Sequence, residues 1–119
     1  MEKKASSFKD LLVWQKMHLI VLHIYKMTQT FPKSELFGIS SQIRRSAVSV
    51  AANIAEGFSK KGKADKMRFF NIAQGSLEET HYYLILISDL KYEKTEQMIV
   101  KIDEIGKMLK GYIRAIENS

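Results

Sequence analysis

Apolar residues recur along most of this chain at steps of three and four, the period of an α-helix with one buried face. From about Lys9 or Asp10 to about Thr30, Leu11, Trp14, Met17, Val21, Ile24 and Thr28 make one such stripe. Leu12, Leu19, Leu22 and Met27 populate other sides of the same segment, which is more apolar surface than one core-facing stripe requires. Either this helix is central in a bundle or another subunit covers its second face, and we take the second reading. Phe31-Pro32-Lys33-Ser34 interrupts the pattern, because proline pushes the preceding residue out of helical dihedrals. A second helix is expected to start between Glu35 and Ser41, with Ser34 or Ser40 and Ser41 as alternative caps. Its stripe is Ile39, Ile43, Ala47, Val50, Ile54 and Phe58. It should end at Gly57, whose tolerance of positive φ suits a C-cap. Ala47, Ala51, Ala52 and Ala55 would let a neighbouring helix approach closely.

A third helix is predicted from about Lys63 to Leu90, with Phe69, Ile72 or Ala73, Ser76 with Leu77, Thr80, Tyr83 with Leu84, Ile87 and Leu90 as its continuous stripe. Gly75 interrupts it at a cost of roughly 1 kcal/mol relative to alanine, which close helix-to-helix approach would explain. The fourth helix, about Thr95 to Glu117, carries Met98, Ile102, Ile105, Leu109, Tyr112 and Ile116 on one face and charges on the other. Short connections between helices of this length predict an all-α, up-down-up-down four-helix bundle. The whole chain, 1–119, reads as one domain with residues 1–7 as a disordered polar tail.

Composition narrows what such a bundle can do. There is no cysteine among the 119 residues, which removes disulfides, thiolate metal sites and thiol catalysis and agrees with a reducing cytoplasm. No segment approaches the roughly 20 apolar residues of a membrane span, so a soluble cytoplasmic protein with no membrane partner is expected. The formal net charge of +6 makes acidic partners plausible, nucleic acid first among them.

Arg44 and Arg45 are adjacent and therefore point about 100° apart on a helix, so they cannot serve the same role. A poorly solvated arginine here calls for a carboxylate, and Glu56, Glu78 and Glu79 are the candidates. Lys60, Lys61, Lys63 and Lys66 form the densest positive cluster of the chain, in the link between the second and third helices. Together with Arg44 and Arg45 they are the candidate phosphate-contacting residues. Gln42, Asn53 and Glu56, with Ser76, Glu78 and Glu79, are candidates for a structural polar seam within the bundle or between subunits. Glu78-Glu79-Thr80-His81 supplies one Glu-x-x-His half-motif of the carboxylate-bundle metal enzymes, which need two. Neither His18 nor His23 has an acidic residue three positions earlier. No Walker-type loop or nucleophile elbow is present. The reading is non-enzymatic, with no catalytic residues, cofactor or metal.

Several segments in combination resemble a known family. They are Phe8-Lys9-Asp10-Leu11 with Val13-Trp14-Gln15, Phe31-Pro32, Gln42-Ile43-Arg44-Arg45-Ser46-Ala47, Asn53-Ile54-Ala55-Glu56-Gly57, and Ile72-Ala73-Gln74-Gly75-Ser76-Leu77-Glu78-Glu79. The chain resembles the bacterial four-helix bundle proteins encoded in intervening sequences of 23S ribosomal RNA genes. It is more remotely similar to the accessory variability protein of diversity-generating retroelements. The resemblance implies a ring-like homopentamer, no established enzymatic activity, and a role in binding structured RNA or an RNA-protein machine. Ser46 stands where alanine is common in such proteins. The resulting expectation is an oligomeric, RNA- or DNA-binding bundle; the alternative is a scaffold for another protein, with no nucleic-acid binding.

Overall fold

The computed structural model describes residues 5–119. It contains four helices, α1 (Leu12–Thr28), α2 (Ile39–Ser59), α3 (Lys63–Asp89) and α4 (Glu96–Glu117), with short 3-10 turns at Phe8–Asp10 and Lys33–Glu35. Each helix packs on its neighbours in sequence and α4 closes onto α1, while no Cα atoms of the described diagonal pairs come within 8 Å of each other. This is a four-helix bundle, elongated to 46 × 26 × 20 Å.

The predicted stripes supply most of its core, but Val13, Ile20, Phe70 and Ile113 are buried outside any predicted stripe, Phe69, Tyr112 and Ile116 are only half-buried, and Leu90 is 45% exposed. Val13, Met17, Ile24, Ile43, Ala47, Val50, Ile54, Ala73, Leu84, Ile87 and Leu109 have no exposed surface at all. Burying a side chain of Leu or Ile size contributes about 1.5–3 kcal/mol, so this stripe dominates the stability. Met27, assigned from the sequence to a side face of α1, is also buried, and Trp14 is only half-buried against the core.

The ends of the helices depart from expectation in instructive ways. Residues 1–4 of the anticipated tail lie outside the described residues, but residues 5–7 are tied down. The Asp10 carboxylate accepts from the Ser6 and Ser7 amides at 3.0 and 3.1 Å. Ser7 in turn caps the first 3-10 turn through the Lys9 amide, a reciprocal capping box. Neither Ser34 nor Ser40 nor Ser41 caps α2. Gly38 occupies the N-cap, and Glu35 Oε1 accepts from the Ile39 amide at 3.4 Å, a carboxylate placed at the positive end of the helix. Glu35 Oε2 also accepts from the Tyr92 hydroxyl at 2.8 Å, which ties the α3–α4 link to the start of α2. That hydrogen bond, ahead of burial, raises the Tyr92 pKa from its ordinary value.

Gly57 is not a C-cap. α2 continues to Ser59, and no glycine has positive φ. A Cβ at Gly57 would lie 3.0 Å from the Phe70 ring and 3.2 Å from Phe69 Cβ, so glycine is needed there for the close approach of α3. Gly75, expected to serve that purpose, has nothing within 4 Å of where its Cβ would be. α3 ends through Lys91, the one non-glycine residue with positive φ among those described. The Lys91 and Tyr92 amides return to the carbonyls of Ser88 and Ile87, a Schellman closure made without glycine.

Candidate nucleic-acid interface

The six candidate cations divide between the two ends of α2. Arg44 and Arg45 lie in its second turn and Lys60 just past its end, 16 residues on, which is about 24 Å along a helix. Arg44 and the linker lysines therefore do not make one continuous patch.

Three of the six are occupied by helix ends. Arg44 Nε donates to Thr28 Oγ1 at 2.8 Å, its Nη2 approaches the Tyr25 carbonyl at 3.5 Å, and its guanidinium lies 4.8 Å over the Tyr25 ring. Lys66 Nζ donates to the carbonyls of Gly57 and Phe58 at 3.2 and 3.0 Å. Lys63 Nζ donates to the Glu117 carbonyl at 2.7 Å. These side chains sit at the C-terminal ends of α1, α2 and α4, where unsatisfied carbonyls and the helix dipole favour a cation, each contact contributing about 0.3–1 kcal/mol. The carboxylate expected to neutralise Arg44 is thus replaced by a hydroxyl, a carbonyl and an aromatic face. Lys60 pairs with Glu56 at 3.8 Å and lies 5.2 Å over the Phe69 ring. Arg45 and Lys61 are exposed.

Between α2 and α3 runs the polar seam. Ser49 Oγ and Ser76 Oγ are 2.9 Å apart, and Asn53 Nδ2 donates to the Ser49 carbonyl and hydroxyl at 2.8 and 3.1 Å. The fully buried Thr80 hydroxyl lies 2.9 Å from both Ser46 Oγ and the Ser76 carbonyl, and its single proton serves one of them at a time. Further along, the Tyr83 hydroxyl lies 3.2 Å from Glu79 Oε2 and 3.4 Å from Gln42 Oε1. Burial and then the Glu79 carboxylate raise the Tyr83 pKa above its ordinary 10.0, opposed by the charge of Arg45.

The seam therefore gathers Gln42, Asn53, Ser76 and Glu79. Glu56 is diverted to Lys60, and Glu78 is exposed on another side of α3. Ser46, Ser49, Thr80 and Tyr83 belong to it and were missed. The Ser49–Asn53 and Ser76–Thr80 spacings of four were the available signal. Gln42, Arg45, Ser46, Ser49, Ser76 and Glu79 line a shallow polar hollow of about 250 Å³ over it. His81, the other half of the Glu-x-x-His spacing, places Nδ1 3.8 Å from Asp103 on α4. Among the described residues no group of three or more His, Asp or Glu is placed to hold a metal ion.

A second groove, of about 410 Å³, is lined by Tyr25, Leu36, Phe37, Ser41, Arg44, Arg45 and Val48. It brings both arginines to one rim despite their angular separation on the helix. Phe37, which no periodicity singled out because it sits in the break between α1 and α2, is 90% exposed there.

A family model described as "23S rRNA-intervening sequence protein" matches residues 9–111. Among solved structures the chain is similar to a protein of unknown function from the S23 ribosomal protein family of Bacteroides thetaiotaomicron VPI-5482. The two are 31% identical and superpose with a TM-score of 0.79 over 89% of this chain and 98% of that one. No curated protein matches. The chain belongs to the 23S rRNA-intervening sequence protein family.

Proposed function

We propose that the protein is a non-enzymatic, oligomeric bundle of the cytoplasm that binds structured RNA through its basic surface. The observation that carries the nucleic-acid half is the net charge of +6 on a member of this family, with the heads of Arg45 and Lys61 left to solvent. Binding of this kind draws its affinity from counterion release and its selectivity from RNA shape. Arg44, Lys63 and Lys66 hold helix ends and contribute to the field around the bound strand rather than by dedicated contacts.

The oligomeric half rests on α1. Leu12, Leu19 and Leu22, spaced seven and three apart on one side, are 52%, 65% and 53% exposed, a stripe of apolar surface that a neighbouring subunit would cover. A ring of five is the arrangement the family resemblance implies. The same stripe favours the second reading, a scaffold for a different protein.

The test is titration of a structured RNA at several salt concentrations with the wild type, Arg45→Ala and Lys61→Ala. Binding should fall linearly in the logarithm of salt, and each variant should flatten the slope by roughly 0.7–0.9. Absence of binding at low salt would leave the scaffold reading. Light scattering showing a monomer at micromolar concentration would overturn the oligomer.

A further inference from the structure

The groove at the α1–α2 corner combines features that a solvated surface does not need. Phe37 leaves 90% of its surface in water, and Leu36 leaves 50% beside it. Tyr25 and Val48, each 41% exposed, extend the same groove. Single exposed apolar residues are ordinary, but a contiguous apolar patch with an aromatic tip marks a binding surface. Its charge is one-sided: Arg44 and Arg45 line it, and no carboxylate does among the described residues. Arg44 is fixed by its bond to Thr28 and its stack on Tyr25, so a cationic face is held in place before any ligand arrives.

We propose that this groove takes an unpaired nucleotide of a structured RNA. Phe37 stacks on the base, and Arg45 meets the adjoining phosphate beside the fixed Arg44–Tyr25 pair. The proposal rests on the RNA-binding reading above and adds the site and the state of the nucleotide. Charge complementarity selects the occupant, since a strand supplies both a π-face for Phe37 and the anion that two arginines without a carboxylate call for. The base must be unpaired, because in an A-form duplex the base faces are buried in the stack. The groove volume of about 410 Å³ falls within the range of about 300–1,000 Å³ common for sites that hold small ligands.

The experiment compares an RNA hairpin carrying a fluorescent adenine analogue in its loop with a blunt duplex of the same stem. Both are titrated with the full-length wild type, Phe37→Leu and Phe37→Tyr at two salt concentrations. Phe37→Leu keeps the apolar bulk but loses the ring, and Phe37→Tyr keeps the ring. Phe37→Leu should weaken hairpin binding roughly tenfold, the scale of one base–aromatic stack, and abolish quenching of the loop fluorophore with the salt slope unchanged. Phe37→Tyr should bind as wild type, and the duplex should not distinguish the three proteins. Hairpin affinity and quenching unchanged in Phe37→Leu would overturn this site while leaving RNA binding intact. A wild type that binds neither RNA removes both readings. Should Phe37→Leu instead lower the oligomer mass in light scattering, the groove is a subunit contact and the nucleotide site falls.

Discussion

α2 and α3 meet through small and hydroxyl-bearing residues beneath a shallow polar hollow, whereas α1 and α4 meet through long side chains around a groove of mixed lining. On the first side Gly57 brings the two backbones so close that a Cβ would stand 3.0 Å from the Phe70 ring. Ala47 and Ala73 are fully buried, and a ladder of hydroxyls crosses from one helix to the other. On the other side Lys16, Leu19, Ile20, His23, Lys101, Glu104 and Ile105 line a space of about 250 Å³, bridged by the Lys16–Glu104 ion pair at 3.0 Å. The difference follows from side-chain size at the crossings. Small residues let helices close and force their polar atoms to pair with each other, while long ones hold the helices apart and leave apolar stems in water. The close pair buries its polar atoms against each other, and the looser pair leaves Leu19 65% exposed.

The contrast breaks most visibly at a leucine on each side. Leu77 is 2% exposed in α3, so Leu77→Ala should destabilise by about 2–5 kcal/mol, the cost of lost transfer energy plus a cavity. Leu19 is 65% exposed, and Leu19→Ala should stay within about 0.5 kcal/mol of wild type in urea unfolding at low concentration, its effect falling on oligomer mass instead. Comparable losses of unfolding free energy at the two positions would show that the outer face of α1 is as well packed as the inner face of α3.

A smaller effect separates the two glycines. Gly57→Ala gains roughly 0.5–1 kcal/mol of helix propensity but forces the Phe70 ring aside at about 1–3 kcal/mol, for a net loss near 1 kcal/mol. Gly75→Ala meets open space and should raise the thermal midpoint through propensity alone. A stabilised Gly57→Ala would mean that α3 can retreat from α2, and a destabilised Gly75→Ala would mean that a neighbouring subunit presses on that spot.

The least effect belongs to the seam's pH dependence. The folded Tyr83 phenol has its pKa raised above 10.0 by burial and by Glu79, so the fold favours its neutral form. Its contribution is fully present below the unfolded value and is lost as pH rises through the folded one. Stability should therefore decline in strong alkali more steeply in wild type than in Tyr83→Phe, read as the urea midpoint against pH. Identical profiles would remove Tyr83 from the α2–α3 linkage.

Helix positions and most inward residues were legible because a helix repeats every 3.6 residues regardless of its partners, while at the ends of α3 and α4 the buried face falls on Phe70 and Ile113 instead of the expected Phe69 and Tyr112. α3 and α4 fall within one residue of their predicted limits, and the buried positions of α2 follow the Ile39–Ile54 stripe. The candidate site was legible only in part. Gln42 and Glu79 come together only through Tyr83, and Asn53 and Ser76 only through Ser49, pairings that no spacing shows until two helices are laid side by side. Phe37 carried no periodic signal, since its exposure depends on what the α1–α2 corner fails to cover.

By itself the sequence determined the helical class, the number of helices, most of the core-facing residues and the surplus of positive charge. Those properties depend on composition and on spacing along a single segment. Only the tertiary structure decided which glycine admits a neighbouring helix and which cations are consumed by carbonyls. Arg44 reaches the end of α1, Lys66 the end of α2 and Lys63 the end of α4. Each of those contacts depends on where the terminus of a helix falls in space, a distance that no local period records.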